Sequence, residues 1–322
     1  DQYVYWPKMS KHNDTIYALS TAPGKSAIAI IRVSGKDAIK TVKKISPIKK
    51  IKTNKANVLF LKYKGDVIDQ AVVFYYRAPK SFTGEDVVEI NCHGGTAVIS
   101  KISKTFEKLG LRLAEPGEFT KRALLNNKVD LVKTESISDI INAETEKQRE
   151  VAINNLSGGL SLFTKEIYKN LSGVLANIEA LIDFSDEDLP KGIVNKIKEQ
   201  NKNIIRKIQT ELKNAELSKP IIDGVKIAIV GKPNTGKSSF INFISKKDIS
   251  IVTDIPGTTT DSITSSIDIR GFKFTFIDTA GLRKHKNKIE KIGIQKTKEI
   301  IEKSDLNLVF LEKNEKNKYN KI

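Results

Sequence analysis

The chain has 322 residues, 39% of them hydrophobic and 29% charged, which is room for two or three globular domains and excludes disorder along the whole length. Its single cysteine, Cys92, rules out an internal disulfide and, with only three histidines, a Cys/His zinc site. A net charge of +17, carried mostly by lysines scattered along the chain, is compatible with a nucleic-acid partner without requiring one.

The only methionine is Met9, so residues 1–8 are expected to be an upstream tail. The start has no apolar signal core, and no apolar run approaches the roughly 20 residues of a membrane helix. A cytoplasmic protein with no membrane partner is the expectation.

From Thr15 to about Asn91 short β-branched runs dominate: Ala27–Ile31, Val58–Leu61, Val72–Tyr76 and Val87–Ile90. Gly and Pro punctuate them, as strands require. A helical run follows from about Thr96 to Leu109, giving a mixed α/β domain over residues 9–128. From about Glu115 the pattern turns helical. Leu160, Phe163, Ile167, Leu171, Val174, Ile178 and Leu181 recur every three or four residues, one apolar stripe on a long helix. Ile193, Ile197, Ile204, Ile208, Leu212 and Ala215 predict a second, and Ser136 to Leu156 a weaker third. Asp183 to Pro190 is an acidic connection between the two strong helices. Residues 129–218 therefore form a helical domain whose helices pack on one another.

At Gly224 the period changes again. Val225–Val230 reads as a buried strand, Ser262–Ile269 and Lys273–Ile277 as two alternating strands, Ile294–Lys303 as a helix and Leu306–Leu311 as a last strand. Residues 219–322 thus read as an α/β nucleotide-binding domain.

Gly231-Lys-Pro-Asn-Thr-Gly236-Lys237-Ser238 fits the phosphate-binding pattern G-x-x-x-x-G-K-[ST], between the strand and a predicted helix Ser239–Ile244. The glycines let backbone N–H groups curl round phosphates, and the helix N-terminus adds partial positive charge. Asn234, Thr235, Gly236, Lys237, Ser238 and Ser239 are the expected contacts, with Lys237 on the β/γ-phosphates and Ser238 on magnesium. Asp278-Thr279-Ala280-Gly281 closes the third strand; its Asp would hold magnesium through water and its Gly could bond the γ-phosphate. Between them lies Thr253-Asp254-Ile255-Pro256-Gly257-Thr258-Thr259, where a threonine can ligate magnesium. The three motifs in this order point to a GTPase.

Guanine selection normally uses N-K-x-D after the next strand. The one match, Asn127-Lys-Val-Asp130, precedes the phosphate loop and cannot serve it, and residues 312–322 carry none. The nucleotide domain is expected to be incomplete. Leu282 stands where Ras-like enzymes carry the Gln that orients water, so water positioning must come from elsewhere. Glu290 is the nearest downstream carboxylate, for which a solvated acid at a helix start is the bare alternative that the residues alone favour, and Arg283 could help neutralise charge.

With these residues in hand, the chain resembles the MnmE (TrmE) family of tRNA-modification GTPases. The resemblance runs from about Asn13 to Leu311 and rests on Asn13-Asp-Thr-Ile16, Ala29–Gly35, Ser81–Asp86, His93-Gly-Gly95, Glu115–Thr120, Leu125–Lys128, Ile182-Asp-Phe184 and Thr253–Thr259. It implies an N-terminal folate-binding α/β domain that also makes a homodimer, then a helical domain with a P-loop GTPase domain inserted. It implies an FAD-dependent partner, MnmG (GidA). The pair would add an aminomethyl-type group, carboxymethylaminomethyl, to carbon 5 of the wobble uridine of certain tRNAs. The one-carbon unit would come from a tetrahydrofolate, in its 5-formyl or 5,10-methylene form.

Carried over by position, the folate site would use Arg32, Glu89 and Lys128; the bare alternative for Arg32 and Glu89 is a structural salt bridge. Potassium would sit at Asn234, Thr253, Ile255 and Thr258, and magnesium at Ser238 and Thr259. Glu290 would be the catalytic residue, orienting the attacking water through a second water. Thr260 stands where the family often has Arg. The base-reading motif and the family's C-terminal Cys-x-Gly-Lys tail are also missing, so the chain reads as a fragment whose own turnover is open. Two other readings remain: an RNA-binding ribosome-assembly GTPase, and a folate-binding, dimerising fragment without turnover. The folate-type N-terminal half separates the first of these from the family reading.

Overall fold

The computed structural model describes residues 14–46, 51–184, 192–232, 235–246, 263–278 and 298–311. The chain forms two compact units, Asp1–Thr134 and Glu135–Ile322.

The first unit is built on one mixed six-stranded sheet. Its elements are β1 (Ile16–Leu19), β2 (Ser26–Ser34), α1 (Ala38–Lys44), β3 (Asn57–Tyr63), β4 (Asp66–Tyr76), β5 (Val87–Gly94), α2 (Thr96–Lys108), β6 (Arg112–Leu113) and α3 (Glu118–Leu125). The six strands run in the order β3-β4-β5-β2-β1-β6. All pairs are antiparallel except β1 with β6. Alternation along the strands sends Ala29, Ile31 and Val33, Leu59 and Leu61, Ala71 and Val73, and Val88, Ile90 and Cys92 to one side. There they meet Ala38 and Val42 of α1 and Ile102 and Phe106 of α2 in a single core. The opposite parity, which carries Arg32 and Glu89, forms the other face. The resulting register places Arg32 directly across from Glu89.

The sequence left β1, α1 and β6 unassigned. β6 is two residues long and α1 only seven, too short for any period to show.

In the second unit, the expected third helix over 136–156 is two helices. They are α4 (Leu131–Asn142), whose first turn lies before the cut between the units, and α5 (Glu146–Leu156). The reason is local: Thr145 and Gln148 form a capping box, each side chain meeting the other's backbone N–H, which starts a new helix in mid-pattern. α6 (Gly159–Asp183) and α7 (Ile193–Ile222) carry the two strong stripes. α7 continues past Ala215, and through Pro220, to Ile222. Along the stripes only Val174 and Ile204 are fully buried, while Leu171, Ile178 and Leu212 stay exposed. A helix pair buries only the seam between its members.

The nucleotide-type part contributes β7 (Val225–Gly231), α8 (Lys237–Lys246), β8 (Ile263–Ile269), β9 (Phe272–Asp278) and β10 (Leu306–Phe310), with residues 298–303 helical before β10. The sheet order is β10-β7-β9-β8, with β7 parallel to both β10 and β9. Ile227, Ile229, Ile241, Ile267 and Phe276 form its core. Among the described residues, no helix is long and apolar enough to cross a membrane.

Candidate functional site

The phosphate loop follows from strand geometry. β7 and β9 are parallel, so their C-terminal ends share one edge of the sheet, the edge where open α/β sheets hold ligands. β7 ends at Gly231 and β9 at Asp278, with Asp278 in register with Ile229. Gly231 has φ of +155°, and a Cβ there would fall 2.5 Å from the Phe310 carbonyl oxygen. Only glycine lets the chain leave β7 so close to β10. Gly236, with φ of +92°, makes the second turn into α8.

Lys237 is 4% exposed, and its Nζ donates to the carbonyls of Gly231, at 2.9 Å, and Lys232 and to the Thr235 hydroxyl at 3.3 Å. The helix begins with Phe240 N donating to Gly236 O, so the N–H groups just before it have no partner within the helix. A cation, helix-start N–H groups and the buried Asp278 at the adjacent strand end fit a magnesium-bound nucleotide polyphosphate. Asn234, Thr253 to Thr259, Thr279, Ala280, Gly281 and Glu290 lie outside the described residues, and so does the side chain of Ser238.

The N-terminal candidates converge. Arg32 Nε donates to Glu89 Oε1 at 2.9 Å and Nη2 reaches the same oxygen at 2.8 Å. The structural ion pair is thus present, but both side chains remain partly open, 26% and 21% exposed. Solvent access at an otherwise satisfied pair leaves edges for a ligand. The Arg32 guanidinium also lies over two aromatic rings, 5.4 Å from the Phe82 ring centre and 5.5 Å from that of Phe119. Tyr76 stands near the pair; burial first, and then the Glu89 charge, push its phenol above the usual range. Lys128 Nζ donates to the Pro79 carbonyl at 2.9 Å, at the start of the loop that carries Phe82. A carboxylate for an amide edge, two aromatic faces and a nearby ammonium suit a flat heteroaromatic ring bearing an acidic tail.

What holds that loop was not visible as chemistry in the sequence. Arg122 of α3 is 2% exposed and ion-paired to three carboxylates. Its Nη2 meets Asp14 at 2.8 Å and Glu118 at 3.0 Å, and Nη1 meets Glu85 at 3.2 Å. Arg112 adds a second cation to Glu118 at 2.6 Å. Glu85 accepts in turn from Ser34 Oγ at 2.7 Å, and Asn126 Nδ2 donates to the Thr83 carbonyl at 2.7 Å. Burial alone would raise the Glu118 carboxyl; hydrogen bonds from Arg112, the Glu115 N–H and Arg122 outweigh it and bring it down to about 2. Residues 122, 126 and 128 therefore stitch loop 78–86 at three points. Glu85 and Glu118 stand in the strings Ser81–Asp86 and Glu115–Thr120, with Arg122 two residues beyond the second, but nothing local says that they meet.

The N-K-x-D match at Asn127–Asp130 has local work to do. Asn127 takes φ of +55° after α3, and Asp130 Oδ1 accepts from Lys133 N at 2.9 Å, capping α4.

Comparison with known proteins agrees along most of the chain. Residues 15–128 match the family described as "GTP-binding protein TrmE N-terminus", and residues 131–317 match "MnmE helical domain". A protein of Fervidobacterium nodosum called "tRNA modification GTPase MnmE" is 45% identical over 308 residues, 94% of this chain and 66% of that protein. A protein of the same name from Aquifex aeolicus is 42% identical over 301 residues, 93% of this chain and 67% of its own. The chain thus spans about two thirds of the relatives it matches. One solved structure, the G domain of the T. maritima FeoB iron transporter, covers 27% of this chain and 54% of its own at 26% identity. Its TM-score of 0.20 is too low to argue from.

Proposed function

The chain belongs to the MnmE (TrmE) family of tRNA modification GTPases, and from that premise we propose that the protein of which it is part hydrolyses GTP during tRNA wobble-uridine modification. The observation that supports the reading furthest is the Arg32–Glu89 pair beside Phe82, with Lys128 bonded to Pro79 of the same loop, on the same chain as a phosphate loop that carries Lys237. An assembly GTPase has no use for the first of these.

In this reading a tetrahydrofolate, 5-formyl or 5,10-methylene, lies against Phe82 and Phe119. Glu89 accepts from its amide edge, Arg32 orients Glu89, and Lys128 receives the acidic tail. Bound magnesium would draw on Ser238 and Thr259 and would neutralise charge on the β- and γ-phosphates. Potassium at Asn234, Thr253, Ile255 and Thr258 would take the place of an arginine finger, and Glu290 would position the attacking water. The segment 9–128 would bind folate and pair with a second copy. The exposed apolar Ile28, Val58 and Phe60 on the sheet face away from α1 and α2 support that pairing. Residues 129–218 would be helical and 219–322 the GTPase part, with MnmG (GidA), tRNA and a cytoplasmic setting completing the proposal.

The first test is calorimetry of the chain with 5-formyltetrahydrofolate. Binding is expected, and Arg32→Ala should weaken it by about 1–3 kcal/mol, the range for a charged hydrogen bond. Absence of heat at millimolar ligand would refute the folate site. The second uses the longer protein. GTP turnover should rise in potassium and stay low in sodium, and Glu290→Ala should lower kcat by about 10²-fold with GTP binding kept. Equal rates in the two salts, with the variant as fast as the parent, would remove the support for that mechanism.

A further inference from the structure

Behind the loop that Lys128 holds lies an open cavity of about 420 Å³ lined by Thr53, Asn54, Arg77, Ala78, Pro79 and Lys80. Lys80 N donates to Arg77 O at 2.9 Å, closing a four-residue turn that brings the two cationic side chains to the same place. Asn54, at φ of +55°, and Thr53, bridged to Tyr75, form the facing wall.

The lining is unusual in its polarity. It offers a guanidinium, an ammonium, an amide and a hydroxyl, and no carboxylate. None of those four side chains has a hydrogen-bond or ion-pair partner among the described residues, where Lys237, Arg112 and Arg122 all do. The two carboxylates that follow in sequence are both engaged: Glu85 pairs with Arg122 at 3.2 Å, and Asp86, beside the cavity, accepts from Ala78 N at 2.9 Å and is bonded by the Tyr75 phenol. Lys52 and Lys55, also exposed, add positive charge beside Thr53 and Asn54. Such a set fits a ligand that presents more than one carboxylate.

Pro79 connects this cavity to the site already described, because the residue that lines it also gives its carbonyl to Lys128. We propose that the Thr53, Asn54, Arg77 and Lys80 cavity is a subsite for the γ-linked oligoglutamate tail of a folate. The extension rests on the folate reading of Arg32, Glu89 and Lys128. Lys128 meets the first glutamate, and the further glutamates run past Pro79 to Arg77 and Lys80. The protein then prefers the polyglutamate form of its folate.

The test is calorimetry of the chain with 5-formyltetrahydrofolate carrying one or three glutamates, on the parent and on the Arg77→Ala/Lys80→Ala double variant. Both residues are exposed on a turn, so the variant should fold, and circular dichroism checks that it does. The parent should bind the triglutamate about five- to tenfold more tightly, the scale of two exposed ion pairs. In the double variant the two forms should bind alike, and in the parent the preference should shrink as salt rises. Equal binding of both forms by the parent overturns the subsite and leaves the folate reading standing. Failure of both forms to bind overturns the folate reading and the subsite with it. A double variant that keeps the triglutamate preference but binds tRNA more weakly assigns the two cations to RNA phosphates, and so also overturns the proposal.

Discussion

The two candidate sites on this chain are built in opposite ways. The phosphate loop is local. Gly231 to Ser238 are consecutive, and Lys237 reaches carbonyls five and six residues away. The N-terminal pocket is assembled from afar: Arg32 and Glu89 are 57 residues apart, and Arg122 and Asp14 are 108 apart. The cations differ accordingly. Lys237 holds neutral carbonyl groups that water or a phosphate can replace at little cost. Arg122 is itself buried and holds three carboxylates, the buried Glu118 and the partly exposed Asp14 and Glu85, so removing any partner strands charge. The first site stores its order in a short string of residues, and the second in a network of charges that exists only when the unit is folded.

The sharpest way to break this contrast is Arg122→Met. It would leave Asp14, Glu85 and Glu118 without their central cation, and should destabilise the first unit by about 3–5 kcal/mol, the cost of breaking a buried pair. Urea unfolding followed by far-ultraviolet circular dichroism would read this. A loss below about 1 kcal/mol would mean that Arg112 carries the network alone.

Acid should show the same network without a mutation. Glu118 titrates at about 2 in the folded unit against 4.5 for an ordinary glutamate, and Asp14 is also lowered. Each contributes stability that is present above its ordinary value and is lost as pH falls through its folded one. The first unit should therefore weaken between about pH 4.5 and pH 2, and its urea midpoint should fall across that window. A midpoint flat through the window would contradict the lowered carboxyl groups.

Lys237→Ala should have the smallest effect on folding and a specific effect on ligand. The Gly231 and Lys232 carbonyls it releases lie on a loop within reach of water, so the urea midpoint should hardly move. Nucleotide affinity, read with a fluorescent GTP analogue, should fall about ten- to a hundredfold, the worth of one charged hydrogen bond. A large stability loss with affinity kept would make Lys237 a structural residue like Arg122 and erase the contrast.

The sequence by itself determined the strands that carry the core, because short β-branched runs bounded by Gly and Pro mark strands, as at Val87–Ile90 and Ala27–Ile31. It marked the phosphate loop and the Asp278 strand end, since backbone curvature and charge there depend on neighbouring residues. It also carried the family strings that led to Arg32, Glu89 and Lys128. It misread 136–156 as one helix, although Thr145 and Gln148 hold the cap spacing, because apolar period outweighs a four-residue signal. Tertiary structure alone decided that Arg32 faces Glu89, since register fixes which residues of β2 and β5 are opposite. It alone brought Arg122 to Asp14, Glu85 and Glu118, and Phe82 and Phe119 to Arg32. Such contacts join residues whose separation along the chain bears no relation to their distance in space. A buried charge network has no period for a sequence to display.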